Sequence, residues 1–221
     1  MKWITNIFIL ILIYLICSAR SCNEDGNMKE LNEEKLLSAS KDSIKKVFEV
    51  DSPTDQLLVA YEATAKQKLT DFADYLKITS DSSMDIRFRQ QAVEMAVNLF
   101  VSREIDTRNW SKAYPEPNLY NLEQLLERSL SQGMSCWFKP LQINVKAPLT
   151  LENDSTFTGA LSFCQQCLPF DKPNLPGSIS SMLVIDIYAL KKVKSFGKEH
   201  LRIWEVYLGD IYWSGSSYSH I

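Results

Sequence analysis

The hydrophobic spacing of this chain changes period once, at Gly133, and that change restricts what it can build. Before it, apolar residues recur every three or four positions, the repeat of one helix face; after it they alternate with polar ones, the repeat of a half-buried strand. Ser52-Pro53-Thr54-Asp55 joins a capping residue, a proline suited to a first helical turn and an acid three after the cap. Leu57, Tyr61, Ala65, Leu69, Phe72 and Leu76 then mark a long amphipathic helix. Ser82-Ser83-Met84-Asp85 opens a second helix in the same way. Its expected buried face is Phe88, Ala92, Met95, Ala96, Leu99 and Phe100, ending near Val101. Trp110, Tyr114, Pro115 and Pro117 then spell a loop with room for a short strand. Asn121 caps a third helix carrying Leu122, Leu125, Leu126 and Leu130, and Gly133 is placed to end it.

Beyond Gly133, Trp137, Leu141, Ile143 and Val145 are expected on one strand face and Gln142, Asn144 and Lys146 on the other, with Pro140 at an edge or bulge. Phe157, Leu161 and Phe163 suggest a second strand, and Pro169, Pro173 and Pro176 a stiff loop after it. Met182 to Leu190 is nearly continuous apolar. Ser195-Phe196-Gly197-Lys198 turns it into Leu201 to Trp213, a long antiparallel hairpin with one strand buried on both faces.

Helices followed by long antiparallel strands predict an α+β fold, the helices packed on one face of a curved sheet of about four long strands. This order of elements, over roughly residues 53 to 213, is similar to that of the NTF2-like family, in which the strands wrap into a cone. The resemblance implies an open end able to hold a small ligand or a partner. The family's enzymes place an acid or a histidine inside the cone, which draws attention to Asp186 and Glu205 as inward acids. His200 opens a strand and His220 lies at the end of the chain, positions poorly suited to catalysis.

The other informative stretch is the beginning. Lys2 precedes eleven unbroken apolar or aromatic residues, Ile7 to Cys17, and Ser18-Ala19-Arg20-Ser21-Cys22 follows. A charged start, an apolar middle and a small-residue exit make the pattern of a secretory signal, and the run is well short of the ~20 residues of a spanning helix. Ala19 and Ser21 suit an ordinary secretory cut, and Cys22 suits lipid attachment; both leave Cys22 first. The segment resembles the lipobox of bacterial lipoproteins, with Ser21 at the small position before the cysteine. It departs from that motif at Ala19, where leucine is usual, and at Arg20. Asn23-Glu24-Asp25 resembles the acidic tags that direct some lipoproteins to the outer face of an outer membrane. The expected organisation is a signal peptide over 1–21, a tether with a peripheral helix over 22–52 (Leu31, Leu37, Ile44, Val47 and Phe48 give it a thin stripe), the globular domain over 53–213 and a polar tail over 214–221.

The net charge of -3 and the lack of a Lys/Arg stripe give no reason to expect nucleic acid as a partner. No phosphate loop, nucleophile elbow or paired metalloprotease histidines are present in the sequence. Cys164-Gln165-Gln166-Cys167 has the spacing of a redox or metal pair, but its place at a strand end before Pro169 is not the strand-to-helix turn that activates a thiol. A metal site would need Cys136 and both histidines at spacings unlike known zinc modules, so neither metal nor cofactor is expected. In an exported protein Cys136 could instead form a disulfide with Cys164 or Cys167. Trp137, Tyr188, Trp204, Tyr207, Tyr212 and Trp213 could pack a core, line a pocket or anchor a partner. The expectation is a non-enzymatic domain tied to the cell envelope through lipid at Cys22, exported to the outer membrane and binding a protein partner, as an accessory subunit of an envelope-spanning or secretion assembly would. The alternative is a small-molecule binder or enzyme using a cone cavity.

Overall fold

The computed structural model describes residues 52–108, 121–133, 136–169, 178–179, 182–196 and 199–214. The leader, Cys22, the tether, Trp110 to Pro117, Pro173, Pro176 and His220 lie outside them. The chain divides into Met1–Val50 and Asp51–Ile221, and the fold below is that of the second unit.

Three described helices precede five strands: α1 Asp55–Ser80, α2 Ile86–Val97, α3 Leu122–Gln132, then β1 Cys136–Asn153, β2 Thr156–Pro169, β3 Ser178–Ile179, β4 Leu183–Phe196 and β5 Glu199–Trp213. The fold is α+β, with the helices packed against a curved antiparallel sheet of order β1-β2-β4-β5 and the short β3 paired to β2. Caps set the helix ends. Thr54, rather than Ser52, caps α1 by accepting the Leu57 N–H at 3.3 Å. Asp85 caps α2 by accepting from Arg87 at 2.8 Å, and Asn121 caps α3 by accepting from Gln124 at 2.9 Å. Gly133 ends α3 at φ +70°, where a side chain would be strained.

α2 departs from the expected burial. Ala92, Ala96, Leu99 and Phe100 are buried, but Phe88 is 53% and Met95 44% exposed, while Arg89 is only 8% exposed. The cause is electrostatic. Arg89 Nε donates to Thr79 O at 2.9 Å, and Nη2 donates to Leu130 O at 2.6 Å and Ser129 O at 3.4 Å. α1 and α3 both end here, so the negative ends of two helix dipoles lie close together, and of the three carbonyls Ser129 O also accepts the Gly133 N–H at 3.1 Å. A guanidinium answers that arrangement better than a phenyl ring, so α2 turns Arg89 inward and Phe88 outward. α2 also stops at Val97, short of Val101; Leu99 and Val101 instead bond Leu208 on β5 through backbone contacts of 2.9 Å each.

β1 also departs from a single alternation. Phe138, not Trp137, enters the core, whereas farther along Val145 and Leu149 point inward. The register to β2 slips between Leu141 and Asn144, at Gln142, which has φ 54°, so inward positions change from even to odd numbers. Further slips follow around Ala147 and Pro148. There Gly159 of β2 passes so close beneath that a Cβ would lie 2.9 Å from Ala147 O, and the Leu149 N–H leaves the ladder to donate to Glu62 of α1 at 2.9 Å. One irregular strand thereby curls the sheet and pins α1 across it. β5 uses the same device: Leu208 opposes Ile187 and Ile211 opposes Ile185, the extra residue being absorbed at Gly209 and Asp210.

The curved face is filled by side chains, with Leu69, Phe72, Phe138, Leu161, Phe163 and Ile185 essentially inaccessible. Phe72 meets Phe100 edge to face at 4.8 Å. β4 is buried on both faces from Leu183 to Ile187, as its apolar run requires.

Replacing Arg89 by Met should cost about 2–4 kcal/mol of unfolding free energy, because buried carbonyls lose a charged donor; urea denaturation followed by circular dichroism measures it, and an unchanged midpoint would contradict the clamp. Gly159→Ala should cost about 1–3 kcal/mol in the same assay, since the new methyl meets backbone that cannot step aside.

Candidate functional site

The residues singled out by sequence do not converge. Cys164 is a free thiol, half-buried, with Sγ 4.0 Å from Gln142 Oε1. Cys167 is disulfide-bonded and packs against the core. The two therefore do not pair with each other: on a strand, residues three apart point to opposite faces. His200 is exposed and shares a 2.9 Å hydrogen bond with Ser195 Oγ. Among the described residues no group of three His, Cys, Asp or Glu side chains is placed to hold a metal ion. No described helix is long and apolar enough to cross a membrane.

Asp186 lies on the opposite sheet face from its core neighbours Ile185 and Ile187, and accepts the Tyr212 hydroxyl at 2.9 Å. It borders a cleft of about 690 Å³ lined also by Glu152, Thr158, Tyr188 and Tyr212. Burial first, then the negative charges of Asp186, Asp210 and Glu152, push the Tyr188 hydroxyl up to about 12, and burial with Asp186 raises Tyr212 as well. Both phenols stay protonated at physiological pH, and the Tyr212 donor is already spent on Asp186.

Glu205, the other acid considered, sits in a groove of about 510 Å³ between the β4–β5 hairpin and the segment after α2. It is ion-paired to Lys194 and accepts the Tyr207 hydroxyl at 2.7 Å. Lys192 and Lys68 stand over the Tyr207 ring at 4.0 and 5.2 Å from its centroid. Arg103 adds a fourth cation, itself 3.6 Å from both Glu94 and Glu123, and Val97, Phe100 and Val101 form apolar wall. Burial draws the Lys68 ammonium below its ordinary range, opposed by Glu205 and Asp71 and reinforced by Lys194 and Lys192. Burial pushes Glu205 up, but the hydrogen bonds from Lys194 and Tyr207, with the charges of Lys194 and Lys192, outweigh it and hold the carboxyl below its usual range. The groove escapes a sequence reading because its lysines come from α1 and β4. The only local signal is the alternation of Lys192 and Lys194 on one strand face.

The remaining aromatic residues divide between roles. Trp204 is buried edge to face on Phe157 at 5.2 Å and Trp213 packs against the core, whereas Trp137 points outward under Lys77 at 4.2 Å. No protein-family model matches this sequence, and no curated protein matches it. Among the described residues, the outward face of α2 carries Phe88 and Met95 seven residues apart in solvent, with Met84 just before the helix. Single exposed apolar residues are ordinary; an aligned set on one helix face has the form of a docking stripe.

Glu205→Gln should destabilise the protein at neutral pH. A carboxyl held low when folded contributes stability above its unfolded value, and that contribution is lost as pH falls through the folded one. Urea midpoints of mutant and wild type should differ at pH 7 and converge as the pH is lowered through and below the folded value of Glu205; a difference that persists once the carboxyl is protonated would show that Glu205 acts through packing alone.

Proposed function

We propose that this protein is a non-enzymatic interaction module of the bacterial cell envelope, exported, tied to the outer membrane by lipid at Cys22, and serving as an accessory subunit of an envelope-spanning or secretion assembly. The observation that carries the binding half of this reading is the exposed stripe of Phe88 and Met95 on α2. The concave side of the sheet supports it too: Phe72, Phe138 and Phe163 fill the space where a ligand-binding cone of the NTF2-like kind would be open, and Asp186 lies on the other face. The NTF2-like resemblance itself draws support from the order of the elements and from the segment after α2 that runs beside the last strand. Support for the anchor comes from the leader and its exit at Cys22. Each acyl methylene buried in a bilayer contributes ~0.8 kcal/mol, so two or more chains hold a protein there without a membrane-binding surface of its own.

A second reading has one observation in its favour. The groove at Tyr207 collects Lys68, Arg103, Lys192 and Lys194 around one carboxylate, Glu205, which lies on the sheet face opposite the core residues Trp204 and Val206, with apolar wall beside them, and this suits a small organic anion.

Intact mass of the protein purified from membranes tests the anchor: a chain beginning at Cys22 and carrying acyl mass is expected, and an unacylated or leader-bearing chain would end that part of the proposal. Crosslinked recovery from membranes tests the rest. Wild type should retain a protein neighbour that Phe88→Ser loses about tenfold, while no neighbour in either form would turn attention to an anionic metabolite in the groove.

A further inference from the structure

We infer that the partner of the α2 stripe is a second copy of this chain, docked antiparallel across a two-fold axis. This deepens the interaction-module reading and rests on it. Phe88 and Met95 are separated by seven residues, two helical turns, so they fall on one line along α2, and Gln91 lies between them on the same line. Arg87 and Glu94 are also seven apart and form one flank of that line. In an antiparallel pair of helices the same flank of each meets the other. Setting Phe88 of each copy beside Gln91 of the other brings Met95 to the amino-terminal end of the opposite helix, where Met84 is exposed. The same register places Arg87 of each copy against Glu94 of the other, twice by symmetry. Were the flank built from like charges, the same packing would repel; here the surface is complementary to itself.

The other flank of the line is unavailable, since Arg89, Ala92 and Ala96 are committed to the protein's own interior. Arg87 and Glu94 are free to change partners at little cost. Their present contacts, Arg87 with Asp85 at 3.5 Å and Glu94 with Arg103 at 3.6 Å, are between exposed side chains, and such pairs hold little energy.

The test uses the full chain in membranes, with p-benzoylphenylalanine in place of Gln91. Illumination should give a product of twice the mass of the mature chain, with the new bond mapped by mass spectrometry to residues 84–95 of the other copy. Arg87→Glu or Glu94→Arg alone should cut its yield about tenfold, because each sets like charges opposite twice. Co-expressing the two variants should restore it, because both contacts in the mixed pair are again opposite in sign. A crosslink within one chain to residues 22–51, or a dimer indifferent to both reversals, would overturn the inference. Adducts with a different protein only would overturn it while leaving the interaction-module reading standing. No adduct at all would end both.

Discussion

The arrangement of the helices depends on a single cation. Two helices finish beside each other with their carbonyl ends turned inward, an arrangement that is repulsive and poorly solvated by itself. Arg89 resolves it with three carbonyl contacts reaching Thr79, Ser129 and Leu130. Because guanidinium spreads its donors in a rigid plane, it can serve two helix ends at once in a way an ammonium cannot. Everything outward on α2 follows from this commitment. With Arg89 facing in, the helix is rotated so that Phe88 and Met95 face solvent, and the surface that supports the functional proposal is a by-product of how the interior was neutralised.

The sheet is shaped by departures from regularity. A strand that kept one alternation from Cys136 to Asn153 would lie flatter and would present Trp137 to the core. Instead the left-handed Gln142 changes its phase, Pro148 lifts the chain over Gly159, and the amide of Leu149 is released to Glu62 of α1. A carboxylate on one layer thus bonds the backbone of the other, tying the position of the long helix to the place where the strand is broken.

Much of this was legible in the residues. The helix-to-strand change at Gly133, the cap at Asn121, the stripe from Tyr61 to Leu76 and the doubly buried β4 are local signals, and local physics decides them. The exceptions are positions where a distant group wins. Phe88 reads as core by periodicity, and only the two helix ends that α2 meets in space reveal why its neighbour Arg89 takes that place. Trp137 reads as inward until the backbone reversal at Gln142 is known, and nothing in Leu141-Gln142-Ile143 announces a positive φ. The basic groove is assembled from α1, the segment after α2 and two strands, so no window of sequence contains it.

The rim of β1 has a consequence for copies held close together. A sheet leaves bare hydrogen-bonding groups along its margins, and on the β5 side these are engaged by the segment from Leu99 to Asp106. On the β1 side the defence is disorder of pattern: two imino acids without amide protons, a residue of reversed handedness and repeated slips of register. A template so uneven cannot be copied by an incoming strand. Contacts between copies along this rim would then be made by side chains, not by strand addition to the described ladder.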